Sequence, residues 1–262
     1  MPMLSSPAPT LIVSGLTALT YGLMLWAHAR MSAAQLRSLL VLAWLMHAVV
    51  LLRGLLNQPA SFGFAPALSI TLWLVLTVYL LESRLYPQLK ARRALGWLGM
   101  AVVLLAVVFP GATYPALSSP WMPLHWALGI ASYGLIAAAV AHAWLMQRAE
   151  RAMRQGRAND TDMPLLTLER LTFRLVGAGF VLLTATVLAG GWFAESLNHR
   201  WTWNHKTVFS VLAWATMGVL LLGRWRLGWR GGMAARMVYL GAGLLLLGYV
   251  GSRFVIEVFL QR

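Results

Sequence analysis

The chain contains no cysteine, and only seven of its 262 residues are acidic. The first absence excludes a disulfide framework, CxxC redox chemistry and covalent c-type haem attachment to this chain. A haem would have to be held by other ligands. The second absence leaves no carboxylate relay across a membrane, because the acids lie in loops or near the ends of apolar runs. Ion-coupled transport is weakened accordingly. There is no HExxH, Walker loop or GxSxG, no low-complexity tract and no clear internal repeat. The first nine residues carry no cation and precede no clear small-residue cleavage site. The first apolar run is therefore expected to stay as a membrane span and not to be removed as a leader.

What is abundant is apolar sequence: 60% hydrophobic residues, mean hydropathy +0.70 and 11% charged residues. An ordinary soluble domain is excluded. Of the 21 cations, 16 fall in four short segments between apolar runs. These hold Arg30 and Arg37; Arg84, Lys90, Arg92 and Arg93; Arg148, Arg151, Arg154, Arg157, Arg170 and Arg174; and Arg224, Arg226, Arg230 and Arg236. The alternate gaps at 57–65 and 111–121 contain none. Cations in every second gap mark a polytopic membrane protein with its basic loops inside. The net charge of +14 and pI near 11.5 are thus topology signals and do not imply nucleic-acid binding.

A span needs about 20 apolar residues to cross the hydrocarbon core, and must be helical to pair its own backbone. Eight candidates emerge, at 10–29, 38–56, 66–83, 94–110, 122–147, 172–192, 205–223 and 236–258. The fourth is short and ends at Phe109-Pro110-Gly111. The expected fold is all-α, one integral membrane domain over 1–262 with both termini outside. Its first partner is the lipid bilayer, and a multi-pass place in a bacterial inner membrane is expected. The segment 148–170 reads as a solvated inside connection, with Pro164–Leu168 in the interface. The outside loop at 192–206 packs three tryptophans and two histidines into WFAESLNHRWTWNHK.

Six histidines are the candidates for chemistry, since neutral imidazole is a good iron ligand. His28 and His142 lie near inner helix ends and suit interfacial or packing roles, and His199 suits a solvated loop. His47 falls in the middle of the second span, where a polar ring needs a partner. A hydrogen bond to a neighbouring helix and ligation of a cofactor both answer that need. His125 opens the fifth span and His205 the seventh, both at the outer face. His125 shares a helix side with Gly129 and Ser132. Each alone reads as an interfacial histidine; two at one depth, beside Trp201 and Trp203, point towards a site. A stacked di-haem arrangement is disfavoured. His125 and His142 are 17 residues apart, a net rotation of about 260° at ~100° per residue.

Some cations break the inside rule. Arg53 lies about a turn and a half beyond His47, Lys206 and Arg253 lie in the outer parts of spans seven and eight, and Arg200 is in the outer loop. Such a cluster suits haem propionates or another amphipathic acid. The alternative is snorkelling, or pairing with Glu195 and Glu257.

Several stretches in order resemble the cytochrome c assembly family of CcsA/ResC type, and within it the shorter YpjD/HemX-like inner-membrane branch. They are His125-Trp126 with Ala131-Ser132-Tyr133-Gly134, then PLLTLERLTFRLVGAGFVLLTATVLAGGWF, WTWNHKTVFSVLAW, GRWRLGWRGGMAAR and LLGYVGSRFV. They cover about residues 120–260, with weaker similarity through His47 and Arg53; the family-like core is expected over 66–259. The resemblance implies a haem-related role on the outer side, with His125 matching the first of two outer histidines that flank a tryptophan-rich segment. Trp201 to Thr207 takes the place of that segment, without its aspartate-proline pair. Leu222-Gly223-Arg224 stands where full-length members carry an inner histidine, and Tyr249-Val250-Gly251 where they carry the second outer one.

The sequence therefore supports a non-enzymatic, haem-binding accessory protein of cytochrome c assembly. Non-covalent b-type haem would be ligated by His125 and His205, with His47 a separate buried ligand. Trp201 and Trp203 would cover the porphyrin, and Arg53, Lys206 and Arg253 would meet its propionates. Other assembly proteins are the expected partners. One alternative is a membrane partner or regulator that keeps the fold without haem relay; another is a small-solute transporter.

Overall fold

The structure is a computed structural model. It describes residues 7–56, 60–86, 91–114, 122–156, 163–196 and 204–259. Eight long helices follow one another: α1 (Pro7–Trp26), α2 (Ala33–Leu56), α3 (Phe64–Leu85), α4 (Arg92–Val108), α5 (Met122–Arg154), α6 (Leu165–Ser196), α7 (His205–Leu227) and α8 (Gly231–Leu246). Seven of them, α8 with its continuation included, are long and apolar enough to cross a membrane. The fourth, at 17 residues, is the shortest of the first seven. The architecture is the expected polytopic helical bundle.

Three differences from the sequence reading have clear causes. The segment 148–170 is mostly helix: α5 runs to Arg154 and α6 begins at Leu165, with Pro164 taking the first intrahelical bonds from Thr167 and Leu168 on its carbonyl. Hydropathy marks where lipid ends, whereas helical hydrogen bonding continues into the headgroup region. At 33 residues α5 is about 50 Å long, well beyond the ~30 Å of hydrocarbon. The first span ends early, at Trp26, and Ala27–Ala29 form a 3₁₀ turn that holds His28. A short antiparallel pair, β1 (Ala60–Phe62) with β2 (Ala112–Tyr114), also joins two connections.

The chain forms two compact units. Unit 1 holds residues 1–84, 90–118 and 253–262; unit 2 holds 85–89 and 119–252. In unit 1, α1 packs on α2 and α4. Gly96 and Gly99 on α4 admit Met24 and the Tyr21 ring of α1 where a Cβ would collide with them. Trp44 of α2 stacks on Trp73 of α3, centroids 5.1 Å apart, and donates to Thr77 Oγ1 at 2.8 Å.

In unit 2, α5 packs against α6 and α8, and α7 against the same two, so α5 and α7 lie diagonally in a four-helix ring. The α5–α6 seam is lined by small residues: Ser132 donates to the Gly179 carbonyl at 3.1 Å, and Gly129 faces Thr186. After Leu246 the last helix continues as a π stretch (Leu247–Gly251), one α turn (Ser252–Phe254) and a second π stretch (Val255–Phe259). Tyr133 of α5 donates to the Leu245 carbonyl at 2.9 Å, where the α winding gives out and a carbonyl needs a new donor.

Candidate functional site

The histidines sort by unit. His125 is the fourth residue of α5 and is half-buried. Its ring lies against α6: it hydrogen-bonds the Thr186 backbone, and a Cβ on Gly190 would stand 3.4 Å from its Cε1. The ring packs directly over Gly190 on α6. The backbone of α6 thus orients the ring. Ligand histidines are commonly oriented by just such a hydrogen bond to a carbonyl.

His205 is the first residue of α7 and is exposed. The helix starts there because Asn204 is extended and its side chain accepts from Thr207 N at 3.0 Å, an N-cap. Being parallel to α5 and diagonal to it, α7 presents His205 at the same end of the ring as His125. Lys206 lies beside it, with Nζ 5.7 Å from the Tyr249 ring centroid. Gly248 makes this approach possible, since a Cβ there would be 3.1 Å from the Cβ of Phe209. Tyr249, in the Tyr249-Val250-Gly251 stretch that the resemblance sets against a second outer histidine, thus packs by the first turn of α7. Trp201, Trp203, His199 and Arg200 lie outside the described residues.

His47 is fully buried in unit 1. Its Nε2 is 2.7 Å from Ser69 Oγ on α3, and its Nδ1 is 3.2 Å from the Tyr21 hydroxyl on α1. Both ring nitrogens are engaged by protein hydroxyls, and all three side chains are inaccessible to solvent. Of the two partners set out for this ring, the structure supplies the neighbouring helices. Arg53 sits half-buried in the last turn of α2, where a cation suits the helix dipole. The charge of Arg253 acts on Glu257, one turn further along the last helix.

At the other end of unit 2 is a group the sequence reading passed over. Glu169, buried just beyond the first turn of α6, pairs with Arg224 at 2.6 Å and lies 3.6 Å from Arg230. Arg224 also lies over the Phe173 ring at 4.6 Å and donates to the Trp229 carbonyl at 3.3 Å. Gly223 packs under the Trp229 ring, and Gly228 turns the chain in the left-handed region, φ 66°. Counting Glu169 as a loop acid hid this pairing; its spacing of four from Phe173, within one helical face, was the available signal. His142 is likewise buried, inside α5. Among the described residues no three His, Asp or Glu side chains gather to hold a bare metal ion.

The fold and these sites define a multi-pass helical membrane protein with imidazoles at the end of one four-helix unit. A profile of the cytochrome C assembly protein family matches residues 32–260, and the chain belongs to that family. The match takes in α2 and so begins a span earlier than the core expected from residue 66. The chain is 26% identical over 253 residues to the inner membrane protein YpjD of Escherichia coli K12, covering 83% of this chain and 96% of that protein. It is 36% identical over 146 residues to a protein of Azospirillum brasilense, about half of each chain at 53%. To the cytochrome c biogenesis protein CcsA of Guillardia theta it is 28% identical over 160 residues, 54% of this chain and 53% of that one. Membership places the protein in cytochrome c biogenesis, as a multi-pass membrane protein in the YpjD-like branch.

Proposed function

We propose that this is a bacterial inner-membrane protein that binds and handles haem for cytochrome c assembly, with the iron held by His125 and His205 at the outer end of unit 2. The observation that carries the reading is the hydrogen bond from the His125 ring to the Thr186 backbone beside Gly190. Such a contact orients an imidazole for ligation, as a backbone carbonyl commonly does for ligand histidines. His205, exposed at the start of the parallel diagonal helix, is the second ligand. Lys206 meets a propionate by charge, and Trp201 with Trp203 covers the porphyrin face. Haem supplies a redox-active iron whose state the axial ligands tune. The chain's own residues bind, orient and shield; no bond-making turnover is required, and the protein is not an enzyme. In unit 1 the hydroxyls around His47 and the carboxylate beside Arg253 occupy groups otherwise suited to haem. The proposal accordingly rests on unit 2.

Purified protein should show a Soret band, or acquire one with added haemin, and His125→Ala or His205→Ala should weaken it. A colourless preparation that takes up no haemin would overturn the reading.

A second reading, a partner or regulator without haem relay, is favoured by one feature. Leu222-Gly223-Arg224 stands at the family's inner-histidine position, and here Gly223 and Arg224 are committed to Trp229 and Glu169. Under this reading a membrane pull-down retains an assembly-protein partner after all three candidate histidines are replaced.

A further inference from the structure

The last helix does not end as a plain α-helix. Two π stretches, Leu247–Gly251 and Val255–Phe259, flank a single α turn. Each residue added to a turn advances the facing of everything beyond it by about 100°. Residues beyond Ser252 belong to unit 1, and what they meet there is specific.

The β1–β2 pair has the register Ala60↔Tyr114, Ser61↔Thr113 and Phe62↔Ala112. The next rung is Gly63 opposite Gly111. A Cβ on Gly63 would lie 2.7 Å from the Gly111 Cα and 2.6 and 2.7 Å from the two carboxylate oxygens of Glu257. Gly111 itself turns the chain at φ 85°. The two glycines leave a slot that the Glu257 carboxylate fills.

The slot opens on the N-terminus of α3. Gly63 accepts the first intrahelical bond there, from Ala67 N at 3.1 Å, but has no side chain to cap the helix. The first turn of α3 holds no acid either. Neither Gly63 nor the first turn therefore offers this 22-residue helix a side-chain cap. Glu257, from the far end of the chain, brings its carboxylate to this helix start, against Gly63 and beside the Phe64 backbone. Phe254, one turn earlier, meets the Phe64 ring edge-on at 5.2 Å, and Phe64 meets Phe109 of the α4 end at 5.2 Å. Charge capping and aromatic packing therefore hold the same segment at the same place.

We propose that Glu257 is a latch. It straps the final turns of the chain onto the start of α3 and keeps the Gly63·Gly111 rung closed, and its release frees residues 253–259. Phe254 and Glu257 both reach this seat. The latch lies wholly in unit 1 and does not depend on haem.

Hydrogen exchange on the full-length protein in a lipid nanodisc tests this. Glu257→Ala should speed exchange of the first-turn amides of α3 and of residues 253–259 about tenfold, the size of a lost helix cap, with α5 to α7 unchanged. Glu257→Gln keeps the shape and drops the charge, and should give the same pattern to a smaller degree. Gly63→Ala puts a Cβ where the carboxylate sits and should loosen 253–259 as Glu257→Ala does; in the Glu257→Ala background it should add little at 253–259, its contact with the Gly111 Cα acting on the β1–β2 rung alone. Unchanged exchange in both Glu257 variants, or full additivity of Gly63→Ala with Glu257→Ala at residues 253–259, would overturn the latch.

Discussion

His47 Nε2 stands 2.7 Å from Ser69 Oγ, and this contact joins α2 to α3 in the interior of unit 1. With the Tyr21 hydroxyl at Nδ1, one imidazole links three helices. Apolar side chains slide past each other without a preferred register in lipid, whereas a hydrogen bond does not. Ser69→Ala should therefore cost about 1 kcal/mol of stability, in the range of interhelical hydrogen bonds in membranes. His47→Ala adds a cavity and two orphaned hydroxyls, so a loss of roughly 2–4 kcal/mol is expected. Thermal unfolding in detergent measures both. Haem spectra of His47→Ala should match the parent, and a lost Soret band would instead make His47 a ligand.

Gly99→Ala tests how α4 seats on that layer. In an exposed helix interior the change gains about 1 kcal/mol. Here the new Cβ would lie 2.6 Å from the Tyr21 ring, which is fully buried and tied to His47. A net loss of about 1–3 kcal/mol is expected from overpacking. Any gain in melting temperature would contradict the packing described.

Arg224→Ala should be far more damaging than Arg226→Ala. The first strands the buried Glu169 carboxylate with only Arg230 at 3.6 Å. Breaking a buried pair by removing one partner costs about 3–5 kcal/mol. The second removes an exposed side chain stacked on the exposed Trp225. Expression level and melting temperature of the two variants check the contrast, and Glu169→Gln together with Arg224→Met should recover part of the loss.

Gly190→Val probes the outer imidazole without touching it. The added methyls would press on the His125 ring, which already lies 3.4 Å from the Cβ position. Haemin titration should show affinity lowered by about tenfold, the cost of a ring displaced from its oriented hydrogen bond. Gly177→Val, on the same helix where a Cβ meets nothing within 4 Å, is the control and should leave affinity unchanged.

Much of this molecule was legible as a string. Apolar runs give helices because a lipid-facing backbone has no other way to pair its groups. Cations in alternate gaps order those helices across the bilayer. The short fourth run ended at Pro110-Gly111, and α4 does end at Val108, just before them. The helix lengths on the inner side were less legible, since α5 and α6 run on past the point where hydropathy falls. The site was legible by residue type and only partly by partner. His47 announced itself as a polar ring at mid-membrane, but Ser69 and Tyr21 are unremarkable in sequence.

Composition and order alone determined the span pattern, the absence of thiol chemistry and the set of imidazoles available, since each depends on local chain chemistry. Partnership was decided by tertiary structure. Which hydroxyls meet His47, that Glu169 pairs with Arg224, and that Glu257 reaches the start of α3 all follow from helix register. Several of these seats exist because a glycine leaves room for a partner's side chain, as at Gly63, Gly99, Gly190 and Gly223. Such contacts join residues far apart in the chain, and periodicity within one helix carries no information about them.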